Sequence, residues 1–440
     1  MPDSVDLERF RRAAAAGHPQ AQFNLGLWHL RQAPRGSVPT ETQELLLAAA
    51  KQNFVPAQTL LGKLLYKLAG AEQRPMHARY WFERAAEAGD AEAQYRLGEL
   101  LALGLTEPPD ASLAFDWLER AAAQGHVTAR MQMAYCLEYG LGREADVQAA
   151  TRLCFEAAGK GDPRAQNCLG RRYASGHTLP QNASKALAWH LRAAAGHYPG
   201  ATAEVARLSA SLDETAVREG QLLAEKGIPE DAPAPAAPRV PSFDAQILSR
   251  QPFVTECRDF LTPDECDHLI AVATPFLAPS KVLSNTGEHE QWDARTSQEM
   301  AMLNQIKDLV VANIEQRLAD LAALPVQHGE PLVILHYGPG DEYRPHHDYF
   351  DPRIKGNAYE LGRAGQRVIT VLTYLCEVED GGATCFPKID LRVKAEKGKA
   401  LLFRNCRDDG SIEPSTLHAG EPVQAGEKWL ATRWIRERMA

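Results

Sequence analysis

Tyr343-Arg344-Pro345-His346-His347-Asp348-Tyr349-Phe350 sets a histidine and a carboxylate two residues apart. On a β-strand the side chains at i and i+2 leave the same face, so His346 and Asp348 can hold one ion between them. His347 has only Asp348 beside it, on the opposite face, and the spacing selects His346. Alone, such a pair is ordinary surface chemistry in a chain with 14 histidines. Three later segments give it weight. Arg367-Val368-Ile369-Thr370-Val371-Leu372-Thr373-Tyr374-Leu375, then Asp380-Gly381-Gly382, then Thr384-Cys385-Phe386-Pro387 predict a strand, a tight turn and a strand, paired as a hairpin. Thr416-Leu417-His418-Ala419-Gly420 supplies a second histidine. Two histidines and one carboxylate make a facial triad, which leaves positions open on non-haem Fe(II). Lys428, in Gly426-Glu427-Lys428-Trp429-Leu430-Ala431-Thr432-Arg433-Trp434-Ile435, is a cation among strand formers. It is costly to bury unless an anion meets it, and a dicarboxylate co-substrate is such an anion.

Upstream of these strands, Thr262-Pro263-Asp264-Glu265 carries an N-cap, a first-turn proline and first-turn acids, predicting a helix to about Ala273. Met302, Ile306, Leu309, Val310, Ile314, Leu318 and Leu321 stand at helical spacing and predict a second helix from about Gln298 to Leu321. From Pro331 onward the pattern turns to strands, the material of a jelly roll.

The N-terminal half is a repeat array. Ala21, Ala57, Ala93, Ala129, Ala165 and Ala201 recur every 36 residues. Four residues before them stand Gly17, Asn53, Gly89, Gly125, Gly161 and His197; five after them stand Gly26, Gly62, Gly98, Ala134, Gly170 and Ala206. Alanine pairs from Ala13-Ala14 to Ala193-Ala194 keep the same period. Each unit reads as two helices with a C-cap between them, and small residues at fixed positions let neighbouring units stack. Trp81, Trp117 and Trp189 share one repeat position and are expected in the helix packing; His126, His177, His190 and His197 are expected at solvated or capping positions. Residues 228–241, with five prolines, predict an extended spacer. The expected fold is therefore α+β with two domains: an N-terminal α-solenoid of six helical-pair repeats over 6–227, a linker over 228–241, and a C-terminal double-stranded β-helix (jelly roll) flanked by helices over 242–440.

Over 440 residues the chain is 45% hydrophobic and 24% charged with a net charge of −9, which argues against nucleic acid as the main partner. No apolar run reaches membrane-spanning length, the start is acidic where a secretory leader is basic and apolar, and the eight cysteines form no C-x-x-C pair. A cytoplasmic protein with reduced thiols is expected, with Cys376, Cys385 and Cys406 as small core residues.

From about Phe253 onward the chain resembles the prolyl 4-hydroxylase family of Fe(II)/2-oxoglutarate dioxygenases. The resemblance rests on Tyr337-Gly338-Pro339-Gly340, Tyr343-x-Pro345-His346-x-Asp348, Gly381-Gly382-x-Thr384-x-Phe386-Pro387, Leu417-His418-Ala419-Gly420 and Lys428-Trp429-x-Ala431-Thr432-x-Trp434-Ile435. It implies Fe(II) on His346, Asp348 and His418, with 2-oxoglutarate and O2 as co-substrates and ascorbate as an expected cofactor. Lys428 would take the far carboxylate of 2-oxoglutarate, Tyr337 and Tyr374 would hydrogen-bond it, and Thr432 and Trp434 would line its pocket. Succinate and CO2 would leave, and an unactivated C–H bond would gain a hydroxyl. Arg295, Ser297, Tyr343, Arg367 and Trp434 resemble substrate-facing positions. Ala383, His336 and Arg436 depart from the family pattern and bear on peptide preference. The repeats resemble Sel1-like repeats, relatives of the tetratricopeptide class, and imply a protein partner. The reading is a hydroxylase of peptidyl, prolyl residues; the alternatives are an interaction scaffold with a sensor or inactive oxygenase module, and a hydroxylase of a free amino acid or another side chain.

Overall fold

In the repeats, every helical turn is closed by the same backbone device. At the period-36 position before the second helix of each pair, φ is +87° at Gly17, +61° at Asn53, +92° at Gly89, +89° at Gly125, +86° at Gly161 and +57° at His197. Gly89 N–H donates to Ala86 O at 3.0 Å and Asp90 N–H to Ala85 O at 3.0 Å, satisfying carbonyls that the helix end leaves open. Asp90 then caps the next helix, its carboxylate accepting from Ala93 N at 2.8 Å. His126 does the same for Val127–Tyr139, accepting from Ala129 N at 3.1 Å. His190 is different from the expectation: it is fully buried, its Nδ1 meets Asn167 Oδ1 at 2.9 Å, and burial pushes it down to about 4. Trp81 and Trp189 are buried in the helix packing, and Trp117 packs partly buried beside Arg120.

The computed structural model describes residues 4–34, 37–67, 74–104, 109–237, 243–280, 282–283, 289–290, 295–303 and 306–440. Its packing forms two compact units. The first comprises 1–165, 177–180 and 230–238; the second comprises 166–176, 181–229 and 239–440.

In the first unit, paired helices such as Val55–Lys67 with Arg74–Glu87 and Ala91–Leu103 with Ala111–Ala123 alternate along the chain. Their contacts depend on the small residues of the repeat. A Cβ on Gly62 would lie 2.7 Å from the ring of the fully buried Phe82. Gly62→Ala gains helix propensity but overpacks this contact, and the expected net outcome is a loss of about 1–3 kcal/mol. Thermal unfolding of the full chain checks it: an unchanged or raised Tm would show that the helices can part at no cost. Residues 230–237 are neither helix nor strand, with Ala234 N–H donating to Thr178 O at 2.7 Å and Gln148 Nε2 to Pro233 O at 2.9 Å. Linker positions 238–241 lie outside the described residues.

Among the described residues the second unit holds two main sheets and two further two-stranded ones. The larger has eight strands in the order Ala245–Arg250, Phe253–Cys257, Ala400–Arg404, Arg367–Tyr374, Lys428–Arg436, Val333–Tyr337, Gln298–Ala301 and Ala278–Pro279. The smaller runs Leu391–Val393, Thr384–Phe386, His418–Gly420 and Tyr343–His346. Leu335, Leu372, Tyr374, Leu401, Phe403 and Leu430 of the first pack with Phe386 and Val393 of the second in one apolar core, the arrangement of a double-stranded β-helix.

The helix at Pro263–Ala273 forms as expected, with Thr262 and Glu265 making a reciprocal capping box. Asp267 on this helix is 0% exposed, and it accepts from Arg171, from Asn167 Nδ2 at 3.1 Å and from Lys397 Nζ at 2.5 Å. Three expectations are corrected. Residues 298–321 are not one helix: Gln298–Ala301 pairs with Val333–Tyr337, and the helix begins at Leu309 behind Asp308, whose carboxylate accepts from Val311 N at 3.1 Å. Arg367–Tyr374 and Thr384–Phe386 are not a hairpin, because the first pairs with Ala400–Arg404 and Lys428–Arg436 while the second pairs in the other sheet. The intervening chain crosses between sheets rather than reversing within one. Finally, Cys376, Cys385 and Cys406 are half-buried, not core, and Cys385 Sγ lies 2.8 Å from Glu421 Oε1.

Candidate metal centre and cleft

Antiparallel register brings the sequence-distant ligands together. In the smaller sheet His418 stands directly opposite His346. The Tyr343–His346 strand ends at that residue, so Asp348 lies in the following bend and not on the same strand as expected. The bend still turns its carboxylate to both histidines: Oδ1 is 3.6 Å from His346 Nε2 and Oδ2 is 3.6 Å from His418 Nε2. One ligand atom from each of the three residues lies within 4.8 Å of the others. His347 faces away, with Nε2 3.0 Å from Pro414 O.

Each histidine is held by its other nitrogen. His346 Nδ1 lies 2.9 Å from Arg344 O and His418 Nδ1 lies 2.9 Å from Thr416 O. A carbonyl only accepts, so Nδ1 carries the proton and Nε2 keeps its lone pair for the cluster. Burial, with His418 beside it, pushes His346 down to about 3, which keeps it neutral. Burial alone would raise Asp348, but His418 and His346, with Arg367 and the Thr370 hydroxyl, outweigh it and hold the carboxyl below its usual range.

The larger sheet supplies the facing wall. Lys428, Leu430, Thr432 and Trp434 are alternate residues of one strand and therefore share a face; with Leu335, Tyr337 and Leu372 from neighbouring strands they line a cleft. Asp348, His346, His418, Thr384 and Gly420 line its other side. Lys428 is 3% exposed, with Nζ 5.4 Å from the centre of the Tyr337 ring. Burial pushes its ammonium down to about 8, against the weaker pull of Cys376, Cys385 and Glu421. Glu421 is engaged elsewhere, by both Arg392 Nε at 3.0 Å and Arg392 Nη2 at 2.7 Å. Among the described residues no carboxylate forms an ion pair with Lys428.

The remaining expected positions divide. Arg295, Tyr343 and Trp434 reach the cleft. The Tyr343 ring stacks on His346 with centroids 3.5 Å apart, and the Arg295 guanidinium lies 5.0 Å over Tyr343. Tyr337 is hydrogen-bonded to Ser297 and Arg295, and Ser297 is buried with its Oγ 2.8 Å from Ser280 Oγ. Tyr374 is fully buried and reaches the cleft wall through Thr384, donating to its Oγ1 at 2.8 Å. Arg367 is paired with Glu330 by two bonds of 2.7 Å, and its guanidinium lies 4.0 Å over the Trp434 ring and 4.7 Å over Phe350. Arg436 is fully buried and meets Glu330 at 2.8 Å. Thr370, Thr384, Leu335, Leu372 and Leu430 also belong to the site but were not expected there. For Leu430 the signal was present, since it completes the period-two stripe from Lys428 to Trp434.

Known proteins share both halves of this chain. Residues 332–436 match the family model of the 2OG-Fe(II) oxygenase superfamily, and residues 19–54, 55–90, 91–126, 127–162 and 163–198 each match that of the Sel1 repeat. Prolyl 4-hydroxylase 5 of Arabidopsis thaliana is 39% identical over 210 residues, spanning 43% of this chain and 70% of that protein. Prolyl 4-hydroxylase 1 of the same plant is 36% identical over 215 residues, spanning 46% and 74%. Among solved structures, a Sel1 repeat protein from Oxalobacter formigenes aligns at 27% identity and a TM-score of 0.41, over 50% of this chain and 99% of its own.

Proposed function

Since the chain belongs, through its C-terminal half, to the prolyl 4-hydroxylase family of Fe(II)/2-oxoglutarate oxygenases, we propose that it hydroxylates prolyl residues of a protein or peptide. In this reading His346, Asp348 and His418 hold the iron and Lys428 holds the distal carboxylate of 2-oxoglutarate. One observation carries it: a compact donor set and a buried ammonium that pairs with no carboxylate among the described residues line the same cleft.

The residues present fit the ion. Two imidazoles with free Nε2 atoms and one carboxylate, oriented by bonds to their far sides, are the donor chemistry that suits Fe(II) with positions left over. Bound there, the iron supplies the redox chemistry that couples decarboxylation of 2-oxoglutarate by O2 to transfer of one oxygen atom into a C–H bond. The chain does the rest. Lys428 neutralises and orients the co-substrate, while Leu335, Leu372 and Leu430 exclude water from it. Thr432 offers a hydroxyl in that wall, and Thr384 one on the opposite side of the cleft. Arg295 supports Tyr343, whose ring covers His346 at the substrate side. Arg367 acts by carrying Trp434 on its guanidinium rather than by touching peptide, and Ser297 acts through Tyr337. Ascorbate would serve as the reductant that keeps the site ferrous. The repeats would present the protein substrate or its carrier, with 6–227 as the recruiting domain, 228–241 as the linker and 242–440 as the oxygenase.

No helix among the described residues is long and apolar enough to cross a membrane. The test is to incubate the full chain with Fe(II), 2-oxoglutarate, O2 and a panel of proline-containing peptides beside free proline. The expected result is one added oxygen on a peptidyl proline with matching succinate. Oxygen added only to free proline or to another side chain would overturn the prolyl assignment. A folded, iron-loaded chain that never turns over 2-oxoglutarate would leave a scaffold.

A further inference from the structure

Behind Asp348 runs a chain of side chains to which the sequence assigned no role at the site. Thr370 Oγ1 donates to Asp348 Oδ2 at 2.8 Å, and Asn405 Nδ2 donates to Thr370 Oγ1 at 2.9 Å. Thr370 and Asn405 are both 0% exposed. The direction of the chain is forced by chemistry: a carboxylate only accepts, so the single hydroxyl proton goes to Asp348, and the threonine oxygen is free to accept from the amide. Asn405 Oδ1 is left buried without a hydrogen-bond partner. An apolar residue of the same size would avoid that desolvation cost, so the donated bond is what the position supplies.

The main chain of the same asparagine leads to the second histidine. Its N–H donates to Val368 O at 2.8 Å, and its carbonyl accepts from Glu413 N at 2.8 Å. Glu413 O accepts from Thr416 Oγ1 at 2.7 Å, and Thr416 O is the group that holds His418 Nδ1. One residue at the end of the Ala400–Arg404 strand is therefore tied through its side chain to Asp348 and through its backbone to His418.

We infer that Thr370 and Asn405 are positioning residues, which fix the rotation of the Asp348 carboxylate relative to His418. The inference rests on the metal assignment above. A hydroxyl that pins a ligating carboxylate is worth about 10- to 100-fold in metal affinity.

The experiment titrates Co(II), whose visible bands report ligand geometry, into the metal-free full chain and its variants. Thr370→Val, nearly the same shape without the hydroxyl, is expected to weaken Co(II) binding about 10- to 100-fold and to shift the bands; Thr370→Ser is expected to restore both. Asn405→Leu removes the donor together with the orphaned oxygen. It is expected to weaken Co(II) binding while the metal-free Tm holds or rises, a split that a merely structural asparagine would not give. Wild-type affinity and bands in folded Thr370→Val, or in Asn405→Leu if the first does not fold, would overturn the inference. His418→Ala is the reference: if it too binds Co(II) as wild type does, the metal assignment fails and not the positioning chain.

Discussion

His418→Ala is expected to abolish formation of the visible charge-transfer band when Fe(II) and 2-oxoglutarate are added without oxygen. The imidazole is one of three donors, so its loss should weaken metal binding by more than the roughly 10- to 100-fold seen when only a supporting partner is removed. The same ring fills space: it is 4% exposed and lies 4.7 Å from the Phe403 ring and 5.7 Å from that of Phe386. Deleting it therefore also costs about 2–5 kcal/mol of stability by analogy with other large-to-small core changes. A lost band must be separated from a lost fold. Asp348→Asn does this, because it keeps volume and can still accept from Thr370, yet removes the charge that binds the ion. His347→Ala is the opposite control, since His347 is tied to Pro414 O and should leave the band intact. An undiminished band in folded His418→Ala would mean that the iron sits elsewhere.

The parts of this fold that were readable are those with a short period. The repeat is visible because each turn needs a positive φ, which glycine supplies without strain, and each helix crossing needs a small residue; Asn53 and His197 keep the same turn at +61° and +57°. Lys428, Thr432 and Trp434 share a face because alternate strand residues do, but Thr432 and Trp434 were expected in the pocket from the family resemblance and not from that period. Pairing across the chain was not readable. His418 lies opposite His346 because of sheet register, and nothing within either segment encodes it. The hairpin expected from Arg367 to Pro387 failed on this point: glycines mark a reversal of direction, but not whether the chain returns to the strand it left. The helix expected from Gln298 failed because apolar residues at Met300 and Met302 fit an alternating pattern as well as a helical one; Asp308 before Leu309-Val310-Val311 was the cap signal that could have moved its start.

The proline run marks the change of composition, yet packing divides the chain elsewhere. Residues 166–176 and 181–229 belong with the sheets. Beside the apolar contact of Ala271 with Ala193, Tyr198 and Ala201, part of the tie is polar and therefore silent in a hydrophobic pattern. Asp267 has no solvent to stabilise its charge and depends on Arg171, Asn167 and Lys397, which come from segments 96 to 130 residues away. A buried carboxylate without those donors would be strongly destabilising, so these segments hold together as a unit.

Lys428→Met is expected to leave metal binding intact and to weaken 2-oxoglutarate by about 2–5 kcal/mol, the usual cost of truncating one member of a buried charge pair. That is on the order of 30- to several-thousand-fold in Kd. Lys428→Arg should recover part of the loss, because it keeps the charge but not the reach. The pH dependence gives a second signature. Burial holds the ammonium near 8, with Cys376, Cys385 and Glu421 the groups that pull the other way. The carboxylate binds the ammonium form, so wild-type affinity should be flat below that pH. Above it, affinity should fall by up to about tenfold per pH unit until the proton is lost from the complex as well. Stability of the ligand-free chain should move in the opposite direction. Between about 8 and the ordinary lysine value of 10.5, the unfolded chain binds the proton that the folded chain has released, so stability rises with pH in that window. Lys428→Met lacks the group and should lose this increment. Calorimetric titration of 2-oxoglutarate and denaturant unfolding, each run on wild type and Lys428→Met across pH 7–10, measure the two slopes. Opposite signs in wild type, both absent in the variant, identify Lys428 as the anion site; a pH-independent Kd would show that the co-substrate's charge is met by another group.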